Sequence, residues 1–284
     1  MRAGQSGIII SQRSNIVTNN ENSHLCVCGA SQNVAIWNLN TEERSVFETS
    51  SSAEVTRVQS KGNVVCAGFT DGRLVVWDIE TRKMIFEGKG HKNAITALTH
   101  GEESVIASGG KDTDIVIWDT IREAGEFRLR GHNDEVTDLV FFAENKYLAS
   151  TSKDTLFKVW CMETQCCVQT CVGHRSEVWS VAKHPSMPYL MTASSDRFVR
   201  MWKIQDDENV VDKNERLKLV GTLQRQAGGR SSEIRFNESG SHLACQSNSK
   251  GTFVVERCIS LTHKIKAWSM RMQIVSLTRI SKEN

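Results

Sequence analysis

The sequence predicts an all-β fold built from a repeated four-stranded sheet, and two periodic signals support this prediction. Five tryptophans recur at intervals of 40, 41, 42 and 42 residues, at Trp37, Trp77, Trp118, Trp160 and Trp202. A Gly-His pair recurs out of step with them, at Gly90-His91, Gly131-His132 and Gly173-His174. A period of about 40 to 45 residues with Gly-His and Trp-Asp signals is typical of a WD-repeat β-propeller, in which each repeat forms one blade.

The residues around each tryptophan have the pattern of a β-strand. The positions one and three places before it are apolar, as with Ile117 and Ile115 before Trp118. Spacing of two places such residues on one face of a strand, and turn residues such as the GGKD of 109–112 separate the segments. The fourth repeat therefore predicts four strands, at Val136–Phe141, Tyr147–Ser150, Phe157–Trp160 and Cys166–Cys171.

Six repeats are recognisable, which predicts one propeller domain over residues 1–260. The first repeat has Trp37 but no Gly-His pair, and the sixth has Val255 near the tryptophan position. The polar stretch 206–217 is interpreted as a surface insertion that delays the sixth repeat. Residues 261–284 do not continue the repeat, and we expect them to form a non-repeat tail.

The composition is that of an ordinary globular protein and excludes several classes. The chain has 284 residues, 39% of them hydrophobic and 24% charged, with a net charge of +2. No apolar run approaches the roughly 18 residues that cross a bilayer. The small net charge gives no global argument for nucleic-acid binding. Nine cysteines, without a recognisable export signal, favour free thiols in a reducing compartment.

A histidine, a hydroxyl residue, an aspartate and a tryptophan recur together in three repeats. The three sets are His91, Ser108, Asp112 and Trp118; His132, Ser150, Asp154 and Trp160; and His174, Thr192, Asp196 and Trp202. A hydrolase needs one nucleophile, base and acid in one cleft, whereas these sets repeat with the blades. We expect each imidazole to bridge the hydroxyl and the carboxylate, so that the set joins strands within a blade. No catalytic residue is assigned, and an enzyme with a site in the propeller channel is kept as an alternative.

No cofactor or metal site is predicted. The densest cysteine cluster, Cys161, Cys166, Cys167 and Cys171 with His174, lacks the paired CxxC spacing of structural zinc sites. Neither a GxxxxGK[ST] nor a GxGxxG phosphate-binding loop occurs. The one local basic excess, in Arg216, Lys218, Arg225, Arg230 and Arg235, is interpreted as a solvated loop, with contact to RNA phosphates or an acidic partner as the alternative.

Partner-binding residues are expected beside the Gly-His loops and the turn aspartates, which share one rim of a WD propeller. These candidate rim residues are Lys92, Lys111, Glu135, Lys153, Arg175 and Glu177. Charged side chains that are merely solvated are the alternative interpretation.

Several stretches are closer to one family than a general WD repeat would be. KDTDIVIWD at 111–119, GIIISQRSNIV at 7–17 and GSHLACQSNSKGTFVVE at 240–256 resemble the N-terminal propeller of the large tandem-propeller subunit of the UTP-B subcomplex, part of the small-subunit processome. The resemblance extends over roughly residues 7–257. It implies a non-catalytic scaffold of the nucleolus, within the nucleus, that supports pre-rRNA processing towards 18S rRNA and small ribosomal subunit biogenesis.

The resemblance also implies partners and an architecture. The partners would be other WD-repeat and helical UTP-B subunits, with small nucleolar RNA and pre-rRNA bound directly or through those subunits, and with no membrane or small-molecule substrate. Rings of this family have seven blades, followed by a second propeller and a helical domain, so we expect this chain to be a truncated form. The alternative function is a WD-repeat adaptor of another complex, such as a ubiquitin-ligase substrate receptor or a trafficking-coat subunit.

Overall fold

The computed structural model describes residues 14–19, 24–49, 52–205, 215–225, 230–249, 252–259 and 272–275. Within these residues, 24 strands form six four-stranded antiparallel sheets, and neighbouring strands in a sheet are consecutive in the chain. Helices able to span a bilayer are not found in the described part of the chain. The predicted all-β class with six four-stranded blades is thereby confirmed.

The chain divides into two compact units, of which the first is Met1–Gly131. Its first sheet contains β1 (Ile16–Thr18), β2 (Leu25–Ala30), β3 (Asn33–Asn38) and β4 (Arg44–Phe47); the second contains β5 (Val55–Lys61), β6 (Val64–Phe69), β7 (Arg73–Asp78) and β8 (Met84–Lys89); the third contains β9 (Ile95–His100), β10 (Val105–Gly110), β11 (Ile115–Asp119) and β12 (Ala124–Leu129). The core lies between consecutive sheets, where Phe47 packs against Trp77 and Phe86 against Trp118, each with ring centroids 5.7 Å apart.

The second unit is His132–Asn284. Its sheets contain β13 (Val136–Phe142), β14 (Tyr147–Ser152), β15 (Phe157–Cys161) and β16 (Cys166–Cys171); β17 (Val178–Lys183), β18 (Tyr189–Ser194), β19 (Phe198–Ile204) and β20 (Leu217–Gln224); and β21 (Arg230–Phe236), β22 (His242–Ser249), β23 (Thr252–Ile259) and β24 (Met272–Val275). The four strands predicted for the fourth repeat agree with β13 to β16 within two residues at each end. Phe157 packs against Trp202 of the following sheet, with centroids 5.5 Å apart.

The structure differs from the predicted boundaries at two places. Leu217, the last residue of the predicted insertion 206–217, begins β20 and is buried because it packs into the core between the fourth and fifth sheets. Residues 206–214 lie outside the described residues. The predicted tail 261–284 contains β24, which pairs with β23 and completes the sixth sheet, while its other residues lie outside the described ones. The assignment of one domain to residues 1–260 stays a prediction.

Two loops meet at one end of each sheet that carries a polar set. The turn between the second and third strands hydrogen-bonds to the segment that leads into the first strand. The amide of Lys153 donates to the carbonyl of Glu135 at 3.1 Å, and the amide of Ser195 donates to the carbonyl of Glu177 at 3.0 Å. This pairing brings the Gly-His segment and the turn aspartate of a repeat together, although more than 20 residues separate them in sequence.

Candidate functional site: the repeated polar sets and the charged rim

The set of the fourth sheet connects three of its strands. Ser150 lies on β14, Trp160 on β15, Asp154 in the turn between them and His132 before β13. Trp160 Nε1 donates to Ser150 Oγ at 2.8 Å, and His132 Nε2 lies 2.7 Å from the same oxygen. His132 Nδ1 lies 2.8 Å from Asp154 Oδ2. When Nδ1–H donates to Asp154 and Nε2 accepts the Ser150 proton, each of these buried polar groups has a partner.

The third sheet repeats this geometry in the first unit. His91 Nε2 and Trp118 Nε1 each lie 2.8 Å from Ser108 Oγ, and His91 Nδ1 lies 2.8 Å from Asp112 Oδ1. A glycine is required at position 110 because the side chains of Asp112 and His91 lie close to its backbone. A Cβ atom at this position would lie 2.4 Å from Asp112 Oδ1 and 2.6 Å from His91 Nδ1, inside van der Waals contact.

The fifth sheet contains the same four groups and one addition. His174 Nε2 lies 2.8 Å from Thr192 Oγ1, to which Trp202 Nε1 donates at 2.9 Å, and His174 Nδ1 lies 3.0 Å from Asp196 Oδ2. The buried Arg200 contacts His174 Nδ1 through its Nη1, which also donates to Asp196 Oδ2 at 2.8 Å. The Arg200 guanidinium therefore adds a positive charge to the set of this sheet, and no such contact is described in the sets of the third and fourth sheets.

Arg200 is the member of this site that sequence reasoning missed. It stands two residues before Trp202, where the preceding repeats have Val116 and Lys158. Lys158 is also basic but its Nζ donates to Thr170 Oγ1, so a basic residue at this position is no signal of a contact with the histidine. Burial lowers the pKa of His174 to about 4, the Arg200 charge adds to this effect, and Asp196 opposes it. His174 is therefore held neutral in the folded protein.

The turn aspartates accept several hydrogen bonds at once. Asp154 accepts the amide of Asn133 at Oδ2 and the amide of Leu156 at Oδ1, each at 3.0 Å, besides the bond with His132. Burial raises the pKa of Asp154, but these bonds outweigh burial and bring it to about 2. The pKa of Asp196 is likewise lowered to about 2. Each aspartate is an ionised acceptor that closes its turn.

Asp71 shows what this position does without a histidine. It lies six residues before Trp77, as Asp154 lies before Trp160, but the positions 28 and 27 residues before Trp77, where the matching histidine would stand, are Thr49 and Ser50. Asp71 instead pairs with Arg73 at 2.6 Å, and 40% of its side chain is exposed. The second sheet therefore carries a surface ion pair in place of a buried set.

The sets are arranged for holding strands rather than for attacking a substrate. Ser108, Ser150 and Thr192 are fully buried, and each hydroxyl oxygen lies between an indole N–H and an imidazole. A substrate would have to displace the indole to reach any of these oxygens. Among the described residues, no three histidine, cysteine, aspartate or glutamate side chains come together in a group that could hold a metal ion.

In the first unit, the candidate rim residues border the set of the third sheet. Lys92 is exposed, and its amide donates to Asp112 Oδ2 at 2.8 Å. Lys111 is half-buried, and its amide donates to the carbonyl of Ala94 at 2.9 Å. The loop backbone is thus fixed by the set, whereas the Lys92 side chain faces solvent.

In the second unit, two candidate rim residues pair with each other. Lys153 Nζ lies 2.5 Å from Glu135 Oε2 and 5.1 Å from the centroid of the Trp179 ring, while Trp179 Nε1 donates to Ser195 Oγ. Trp179 lies outside the 40-residue period, and sequence reasoning did not select it. Arg175, by contrast, is exposed, with its amide bound to Asp196 Oδ2 at 3.1 Å.

Glu177, the last of the candidate rim residues, is half-buried, and its carbonyl accepts the Ser195 amide.

Three residues of the predicted basic excess contact other groups within the second unit. Arg225 is buried and donates to the carbonyl of Ser194, Arg216 lies over the Tyr147 ring at 5.0 Å, and Arg235 binds Glu233 at 2.8 Å. The interpretation of these residues as a solvated loop is therefore wrong for Arg225, because its side chain packs inside the unit.

The comparisons with known proteins agree with this geometry. The model of the family described as WDR3 first beta-propeller domain matches residues 24–204, which is more than half of the chain. No curated protein matches. A chain in a solved structure titled "Crystal Structure of Mitotic Checkpoint Complex" is 20% identical, covers 94% of this chain and 78% of its own length, and has a TM-score of 0.76, which shows the fold alone. The protein is a WD-repeat β-propeller, and it belongs to the WDR3 first beta-propeller domain family.

Proposed function

We propose that this chain is a non-catalytic scaffold of the small-subunit processome in the nucleolus, where it supports pre-rRNA processing towards 18S rRNA. Membership of the WDR3 propeller family supports a role in ribosome biogenesis. One observation carries the non-catalytic part of the proposal. The repeated hydroxyl, imidazole and carboxylate groups are bound to one another between strands, so the residues left to meet a partner are the charged ones beside them.

The partners we propose are WD-repeat and helical subunits of the UTP-B subcomplex, with small nucleolar RNA and pre-rRNA reached through them. The candidate rim of the second unit carries both signs of charge, with Glu135 paired to Lys153 and Glu177 two residues after Arg175 in the chain. Mixed charges next to an aromatic ring such as Trp179 suit a protein surface, whereas acidic residues oppose binding to phosphates. The rim therefore favours protein contact over direct RNA contact.

Reversal of one exposed rim charge tests this proposal. A tagged chain carrying Arg175→Glu is expected to recover about tenfold less of the UTP-B subunits than the unchanged chain, the ratio that corresponds to about 1.4 kcal/mol of binding free energy. Lys183→Glu is the matched control, because Lys183 is also exposed but lies at the opposite end of β17. The control is expected to recover the same proteins and small nucleolar RNA as the unchanged chain.

Other recovered proteins would contradict the proposal in separate ways. Ubiquitin-ligase or trafficking-coat subunits in place of nucleolar proteins would support the alternative adaptor function. If Arg175→Glu recovers as much of the processome subunits as the unchanged chain does, the scaffold function is supported but Arg175 is not part of the interface.

A further inference from the structure

The residue that follows the repeat tryptophan closes the turn into the fourth strand. Asp78 Oδ1 accepts the amide of Thr81 at 2.6 Å, and Asp119 Oδ1 accepts the amide of Ile121 at 2.8 Å. The fourth sheet has Cys161 at this position. A sulfur atom therefore stands where the second and third sheets have an anionic oxygen surrounded by amide donors.

The turn that follows Cys161 lowers the pKa of its thiol below the ordinary value. Burial raises this pKa and so does the Glu163 charge, but hydrogen bonding from the hydroxyl and amide of Thr164 and from the amide of Glu163 outweighs both. Cys161 is only half-buried, so a small oxidant in solvent can approach it.

A second thiol lies directly across the hairpin. Cys161 of β15 pairs in register with Cys166 of β16, and Cys166 is exposed. Directly opposed residues of antiparallel strands place their side chains on the same face, with Cβ atoms about 4.5–5.5 Å apart. A disulfide needs about 3.5–4.5 Å, a difference that the end of a hairpin can close. Cys167, the next residue, points to the other face, where its Sγ lies 3.5 Å from the carbonyl oxygen of Gln169.

We propose that Cys161 and Cys166 form a redox-modification site, at which a peroxide oxidises Cys161 and Cys166 then closes an intramolecular disulfide across the hairpin. In the first step the Cys161 thiolate attacks a peroxide oxygen, an S–O bond forms, the O–O bond breaks and hydroxide leaves. In the second step the Cys166 sulfur attacks the sulfenic sulfur, the S–S bond forms and the S–O bond breaks. The leaving hydroxide takes the Cys166 proton and departs as water.

The two steps together are balanced in atoms and electrons. The two thiols together lose two electrons, and the peroxide is reduced to two molecules of water, one of which takes a proton from solvent. A thiol reductant restores the starting state by thiol–disulfide exchange. The site does not depend on the proposed scaffold function, since it rests on the register of one hairpin and the groups around one sulfur.

Proteolysis and mass spectrometry test this site directly. The chain is treated with an equimolar amount of hydrogen peroxide, its remaining thiols are alkylated, and trypsin then releases 159–175 by cleavage after Lys158 and Arg175. A second protease that cleaves after Glu163 separates Cys161 from Cys166. The two fragments are expected to stay linked until they are reduced, with Cys167 and Cys171 alkylated.

Three variants assign the roles of the thiols. Cys161→Asp, which introduces the residue found at positions 78 and 119, is expected to abolish the link. Cys166→Ser is expected to accumulate a sulfenic acid at Cys161 that dimedone traps. Cys167→Ser is the matched control and is expected to keep the link. A link that includes Cys167, loss of the link in Cys167→Ser, or an unreacted Cys161 in the unchanged chain would overturn the proposal.

Discussion

Replacement of Asp154 by alanine is expected to lower the free energy of unfolding by about 3 kcal/mol. The variant removes the acceptor of His132 Nδ1 and of the amides of Asn133 and Leu156. A buried donor without an acceptor costs about 1–3 kcal/mol, and the amides regain part of this cost from water. Urea unfolding of the variant and the unchanged chain measures the difference.

Asp71→Ala is the matched control for this prediction. Asp71 occupies the same position relative to its tryptophan, but its carboxylate forms an exposed ion pair with Arg73 instead of a bond to a histidine. Exposed ion pairs contribute roughly 0–1 kcal/mol, so this control is expected to lose less than about 1 kcal/mol. Equal losses in Asp71→Ala and Asp154→Ala would show that the position, and not the polar set, matters.

Stability is expected to fall as the pH drops from 6.5 to 4, before most carboxylates are protonated. The folded-state pKa of His174 is about 4, below its ordinary 6.5, because the ring is buried and close to Arg200. Between these pH values His174 is protonated in the unfolded chain but stays neutral in the folded chain. The stability present above pH 6.5 is therefore lost as the pH falls to 4. The loss from His174 amounts to about 3 kcal/mol at most, at roughly 1.4 kcal/mol per unit of pKa.

Titration of the imidazole by NMR isolates His174 from the other histidines. The pKa of His100 is also lowered to about 4 and that of His184 is lowered, so both add to the global pH dependence. Arg200→Val introduces the residue found at position 116 and is expected to raise the pKa of His174, because Asp196 is then the remaining charge beside the ring. An unchanged His174 titration in this variant would contradict the role given to Arg200.

The grouping of the polar sets could be predicted from the sequence because the members of each set are separated from their tryptophan by nearly constant numbers of residues. His132, Ser150 and Asp154 could be grouped with Trp160 from spacing alone, since two other repeats have the same spacing. The strands of this repeat followed from alternation and turn residues for the same reason. A regular repeat fixes the register, and the register determines which side chains meet.

Sequence reasoning failed where an interaction depends on one side chain or on a distant pairing. Arg200 enters its set because a long side chain turns back towards the Gly-His loop, which no periodic signal records. The ammonium group of the candidate rim residue Lys153 is paired with Glu135 and lies over Trp179, two contacts that the spacing of the repeat does not predict. The strand β24 carries no tryptophan or Gly-His signal, and its pairing with β23 became visible only in the folded chain.

The environment of Cys161, in the β15–β16 hairpin of the fourth sheet, becomes clear only when equivalent positions of the sheets are compared. In the sequence, Cys161 and Cys166 belong to a dense group of thiols without metal-site spacing. The register places these two opposite each other, and comparison with Asp78 and Asp119 identifies the amide-lined position that Cys161 occupies. Chemistry of this kind comes from a departure from the repeat rather than from the repeat itself.

A double-mutant cycle between Asp154→Ala and Ser150→Ala tests the central claim that the polar sets fasten the strands of a blade. Both residues bind His132, one at each ring nitrogen, and they do not bind each other in the described contacts. If the set acts as one unit, the loss in the double variant should fall short of the sum of the single losses by about 1–2 kcal/mol. Additivity within about 0.5 kcal/mol would mean that the histidine does not couple the turn to the strand, and that the polar set does not fasten the blade as one unit.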